Sequence, residues 1–294
     1  MKREVNLPPV RPNVGLEAQY RLRLAIALAA MHNSVLHWLG MAYRGNPPEA
    51  ILAQDDLPSA ELQRVIKDLA ARWLGRFDEL AKDLSAYFAV EVGKRADGAL
   101  AGMLKRHGMS VKFKLTRPMR DALSAKTGQN VALIRSIAQK YFTDVEGAVL
   151  RAAAEGRDLA TLTHELGPKV DLARIRLGRR PGETDKSLFA RTYRRAAFIA
   201  RDQSNKATAV LNRVRQDELG VEQAVWMHSG GGKEPRPEHE RWGRERRRYD
   251  INKGMWSKVD KQYVWPGTAV NCHCTSRPII PGLEAFAPKE RLEV

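Results

Sequence analysis

SLFARTYRRAAFIARDQSNKATAVLNRVRQDELGV, Ser187 to Val221, runs straight into EQAVWM, Glu222 to Met227. The first stretch has the length and the three- and four-residue apolar spacing of one long helix, 187–219, broken at most once. Gly220 supplies the left-handed residue on which such a helix stops. EQAVWM reads as a strand, and beyond it the texture changes to glycine, proline and arginine with short apolar runs. Residues 221–281 are therefore expected to form a small α+β, loop-rich unit, followed by a tail. With the helix ahead of it, this makes a C-terminal domain over 181–294.

Upstream, 1–180 reads as a mainly α N-terminal body behind a charged, proline-rich arm, 1–15. Leu16 to Arg44 predicts one apolar-rich helix that ends at GNPPE, where Gly45, Pro47 and Pro48 cannot continue it. His32 and His37 lie on it as ordinary packing or surface residues. Ser59 is placed to cap a second helix, whose stripe Leu62, Ile66, Leu69, Trp73, Phe77, Leu80, Leu84 and Phe88 is a packing face. VKFKL, Val111 to Leu115, alternates as a short strand would. Thr116 and Pro118 then open a helix, and Asn130 is placed to cap another that continues through Leu150. GRRPGETD, Gly178 to Asp185, marks a connection.

The chain has 294 residues with 43% hydrophobic, enough for a core and about two domains. Two cysteines, Cys272 and Cys274, argue against a disulfide-stapled secreted protein and for a reducing compartment. The N-terminus has no apolar leader pattern and no window approaches 18 uninterrupted apolar residues, so the expectation is a protein made in the cytoplasm that spans no membrane. A net charge of +16 points to a polyanionic partner, nucleic acid by default. The charge is spread: between Trp226 and Pro281 there are eleven Lys and Arg against six Asp and Glu.

Both cysteines sit in PGTAVNCHCTSRP, just after a Pro-Gly turn that folds the chain back. Two thiolates in a Cys-x-Cys loop can approach one ion, and zinc takes about four N or S ligands in a closed site. His239 is the third candidate; His228, His273 or Glu238 could supply a fourth. The other reading makes Cys272 and Cys274 small buried hydrophobes with His239 hydrogen-bonded across them. No enzyme signature stands out. SGGGKEP lacks the Ser or Thr after lysine that a phosphate-cradling loop needs, HERWG is not a metalloprotease motif, and Glu238 and Glu240 beside His239 read as solvated charges. RWGRERRRYD, Arg241 to Asp250, is the densest basic cluster. With Arg236, its Arg241, Arg244, Arg246, Arg247 and Arg248 could contact phosphates, and Trp242 and Tyr249 bracket it as candidate stacking residues.

Seven features in order carry a resemblance: Ala200-Arg201, Gly220-Val221, Trp226, the Arg-x-x-His element Arg236 to His239, Gly243, Pro266-Gly267, and Asn271 to Cys274. From Ala196 to Pro281 the chain resembles the phage Mu F-like head morphogenesis family, minor capsid proteins of tailed bacteriophages. The resemblance implies assembly in the host cytoplasm, contact with portal or major capsid protein, a place in the virion, and non-specific contact with packaged double-stranded DNA. Family members carry an aspartate upstream of the Arg-x-x-His element; here the stretch is SGGGKE, and Gly232 offers no carboxylate. That favours binding over the competing class, a metal-dependent nucleic-acid-processing enzyme or toxin-like domain with His239 as base or ligand and Arg236 on phosphate.

Overall fold

The computed structural model describes residues 5–45, 58–155, 159–182, 184–230 and 234–280. Long helices dominate the first three quarters and short antiparallel strands the last quarter, the mainly α body and small α+β unit expected from sequence. Gly232, Pro47, Pro48 and the C-terminal tail lie outside the described residues.

Helix α1, Val14–Gly45, starts where Asn13 Oδ1 accepts a hydrogen bond from Leu16 N at 2.9 Å, so Asn13 caps it. By length and composition it could cross a membrane. It nevertheless buries the stripe Leu16, Tyr20, Leu24, Leu28, Met31, Val35 and Leu39, as a core helix does. Helix α2, Pro58–Arg106, begins one residue before Ser59, which is thus in the first turn and not the cap; proline suits that position because its missing N–H would be unpaired there anyway. Its predicted stripe is buried apart from the half-buried Leu80.

Helix α3, Arg117–Ala154, is one element where two were expected. Thr116 Oγ1 accepts from Met119 N at 3.4 Å at its start, whereas Asn130 lies mid-helix and buried. VKFKL is not a strand. Its alternation has another cause: Val111 and Phe113 pack on a core, and Lys114 O accepts from Arg215 Nη1 at 2.9 Å. The connection before the long helix contains α4, Leu159–Leu166, and α5, Leu172–Arg176, which is capped by Asp171.

Helix α6, Leu188–Glu218, is unbroken and ends as predicted. Gly220 has φ 70°, its N–H bonds Asp217 O at 2.9 Å, and Val221 N bonds Gln216 O at 3.0 Å, the paired bonds of a Schellman cap. The cap turns the chain into β2, Gln223–Met227. After it come α7, Pro237–Arg244, β3, Arg248–Asp250, β4, Met255–Ser257, β5, Gln262–Val264, and β6, Thr275–Ile280.

The antiparallel sheet has the order β1-β6-β2-β3, where β1, Val5–Asn6, comes from the N-terminal arm and pairs Val5 with Ile280. Trp226 of β2 pairs with Ser276 of β6, and Ala224 with Tyr249 of β3. β4 and β5 form a separate hairpin.

The fold divides into two compact units that interleave along the chain. One comprises Met1–Glu17, Ala86–Thr127 and Arg201–Val294; the other comprises Ala18–Ser85 and Gly128–Ala200. In the first, Leu7 and Val10 of the arm, Leu100 and Leu104 of α2, and Trp226, Trp242, Tyr249, Cys272 and Cys274 share one hydrophobic core.

Candidate metal centre

The cysteine loop is shaped by its backbone. Gly267 has φ 81°, and a Cβ there would lie 2.8 Å from Ala209 Cβ and 3.1 Å from Cys274 O, so only glycine fits between α6 and the returning chain. Asn271 is also left-handed, φ 55°, a conformation Asn tolerates better than most side chains. Its N–H donates to Asp202 Oδ1 at 2.7 Å, and Asp202, itself buried, is paired with Lys206 at 2.8 Å. These contacts turn Cys272 and Cys274 inward, and the Gly267 N–H donates to Cys272 Sγ at 3.4 Å.

His239 arrives on α7. Arg236 is the N-cap residue and Pro237 the first helical one, a favourable start. Gly243 is required by space, since a Cβ there would meet His228 Cβ at 2.2 Å; α7 can lie against the end of β2 only without it. The result places His239 Nδ1 3.5 Å from Cys272 Sγ and 3.9 Å from Cys274 Sγ. All three residues are buried, and their donor atoms lie within 4.8 Å of one another. Trp226 and Trp242 flank the imidazole, with ring centroids 4.8 and 5.4 Å away. The three residues singled out from sequence thus meet in a group that could bind a metal ion.

Two buried thiols side by side share one charge. Cys272 is drawn well below the ordinary thiol range by the Cys274 thiol, which donates to it, and then, against burial, by His239. Cys274 is pushed up by the neighbouring Cys272 and by burial. A second thiolate here needs a cation to offset it. His239 Nε2 is buried without a hydrogen-bond partner among the described residues.

None of the proposed fourth ligands joins the trio among the described residues. Glu238 accepts from Ser257 Oγ at 2.9 Å and Lys258 N at 3.1 Å, tying α7 to the β4–β5 hairpin; despite partial desolvation, those bonds hold its carboxyl below the usual range. His228 Nδ1 lies 3.3 Å from Gly230 N, and His273 Nδ1 lies 3.1 Å from Asn205 Nδ2. His228 and His273 instead line an open cleft of about 780 Å³, together with Arg201, Arg236 and the three donors themselves.

Arg241, Arg244, Arg246, Arg247 and Arg248 are exposed, with Arg247 paired to Glu245. Trp242 and Tyr249 are corrected: at 2% and 6% exposure they belong to the core and cannot stack on a base. The exposed aromatics near this cluster in sequence are Trp256 and Tyr263, paired across the hairpin with centroids 5.2 Å apart, which sequence reasoning passed over. Their signal was the short alternation MWS and QYV around a lysine-rich turn.

No family model and no solved structure matches the chain. A protein of Haemophilus influenzae described as uncharacterized is 28% identical over 164 residues, covering 56% of this chain and 31% of that relative. The chain thus spans about a third of that relative's length.

Proposed function

We propose that this chain is a minor head protein of a tailed bacteriophage or prophage. On this reading its helices dock on portal or major capsid protein, and its C-terminal unit is held together by a zinc ion on His239, Cys272 and Cys274. The observation that carries the reading is that features scattered along the sequence converge at one place, each with a task there. Gly220-Val221 caps α6, Trp226 flanks His239, Gly243 lets α7 close on β2, Gly267 lets the loop pass α6, and Arg201 reaches Asn271 Oδ1 at 3.4 Å. A motif series with such a common purpose supports the likeness to the Mu F-like proteins better than its order alone.

Zinc suits the donors. With bonds of about 2.3 Å to sulfur and about 2.0–2.1 Å to nitrogen, a tetrahedral ion sets its N and S ligands about 3.6 Å apart. The observed separations are 3.5 and 3.9 Å. The buried Trp226 indole N–H, directed at Cys274, is a donor suited to a metal-bound sulfur. The exposed arginines and the +16 charge suit sequence-independent contact with packaged DNA. The role is binding, without turnover.

Mass spectrometry of purified particles tests the assignment. The chain is expected in heads and in assembly precursors, in few copies relative to the major capsid protein. Its absence from both overturns the reading.

A further inference from the structure

Resting on the zinc reading above, we propose that the ion keeps one coordination position open toward the cleft, and that the cleft takes a tetrahedral oxyanion of the phosphate class there.

The first support is the ligand count. Three side chains converge, and among the described residues no fourth His, Cys, Asp or Glu stands with them. Glu238, His228 and His273 have the other partners given above. Sites that hold zinc with three protein ligands leave the fourth position to water or an exogenous ligand, whereas structural sites are closed by four. The second support is position: His239, Cys272 and Cys274 all line the same cleft, so the side of the ion without a protein ligand faces open space and not the core.

The third support is charge. Two thiolates and one imidazole cancel the charge of a divalent ion, so the cleft's preference is decided by its walls. Among the described residues those walls carry the guanidinium groups of Arg201 and Arg236 against one carboxylate, Glu234, with His228 and His273 as further polar lining. Arg236 Nη1 donates to Val270 O at 3.0 Å, which anchors the guanidinium at the wall while using one of its five N–H donors. Arg236 is also the N-cap of α7 and makes no side-chain cap bond, so the positive end of that helix dipole adds to the same side. Arginine forks match the oxygens of a tetrahedral anion, and a neutral metal with an open position accepts one of those oxygens as its fourth ligand. The ligand chemistry is that of a phosphate group, whether free or at a nucleic-acid end.

The test uses the full chain loaded with cobalt(II), whose visible absorption reports coordination number and ligand type, titrated with inorganic phosphate at fixed ionic strength. A saturable change in the visible bands is expected. Arg236→Gln and Arg201→Gln should each weaken phosphate binding about tenfold while leaving one cobalt per chain. A short oligonucleotide carrying a terminal phosphate, compared with its dephosphorylated form, tells a nucleic-acid end from free phosphate as the source. If the chain binds one cobalt but its bands ignore phosphate, the open position is refuted and the metal reading stands. If phosphate binds with the same affinity to both arginine variants, the cleft is the wrong place. If no cobalt binds at all, the zinc reading fails first and this inference with it.

Discussion

His32 and His239 are both buried, at 0% and 3% exposure, one in each compact unit, and they differ in what surrounds the ring. His32 Nδ1 meets Tyr141 Oη at 2.8 Å and its Nε2 meets Pro168 O at 3.1 Å, so both nitrogens are satisfied by the fold itself. His239 turns Nδ1 to two sulfurs, and its Nε2 has no partner among the described residues. Burial alone does not mark a functional histidine. A ring whose partners complete its hydrogen bonds is a structural element, whereas one aimed at two buried thiols is placed as a metal ligand would be, which is the basis of the zinc proposal.

If that contrast is right, the largest effect comes from Cys272→Ser. It should abolish metal binding and unfold the unit around Trp226 and Trp242, because ion binding in small sites is folding energy on the order of 10 kcal/mol. Amide exchange should show protection lost there and kept around His32. Protection lost equally in both units would break the contrast.

Gly243→Ala strikes the same unit without touching a donor. The added methyl would lie 2.2 Å from His228 Cβ and 2.8 Å from its backbone N, so α7 must shift, and overpacking of this kind costs about 1–3 kcal/mol or more. Chemical denaturation should show that loss together with weaker metal retention. Stability equal to the parent's would show that α7 is not pressed on β2.

His32→Leu is the mirror experiment. Tyr141 Oη and Pro168 O lose a buried partner, at about 1–3 kcal/mol, and metal content should not change.

The same histidine sets a pH dependence. Burial, opposed by hydrogen bonds with Pro168 and Gly167, holds its folded pKa below the ordinary 6.5. Between those two values the unfolded chain binds a proton that the folded chain does not. The stabilisation is therefore complete above pH 6.5 and falls by up to about 1.4 kcal/mol per pH unit as the pH drops through the window. A stability profile of His32→Gln should be flatter there, and a profile parallel to the parent's would place the titration elsewhere.

Smallest in stability, within about 0.5 kcal/mol, is replacement of the exposed Arg244, Arg246, Arg247 and Arg248 by glutamine. Its effect belongs to DNA: the salt dependence of binding should flatten by about 0.9 for each arginine that contacts phosphate. An unchanged slope moves the contact away from this cluster.

The helices were legible because their stripes repeat locally, and the end of α6 because Gly220 is the residue a left-handed cap requires. The centre was legible in part. Cys272 and Cys274 are two residues apart, but pairing them with His239 across 33 residues rested on the motif order, and geometry then brought them together. What sequence hid depends on distant partners. VKFKL alternates like a strand, yet it pairs with no strand among the described residues; Asn130 looks like a cap, yet the flanking turns continue through it. Trp242 and Tyr249 sit among arginines in the chain and among Trp226 and the cysteines in space. The arm contributes β1 because its partner, β6, lies at the far end of the described chain. The buried polar face of α6, with Asp202, Asn205, Lys206, Asn212 and Arg215, reads as a surface until Asp97 and Asn271 are placed against it.

The most direct measurement is elemental analysis of the full chain purified without added metal or chelator, alongside His239→Ala. About one zinc per parent chain and none in the variant is the predicted result. A well-folded parent chain without metal, with Cys272 and Cys274 still buried, would contradict the account and leave the cysteines and His239 as ordinary packing beneath the Pro-Gly turn.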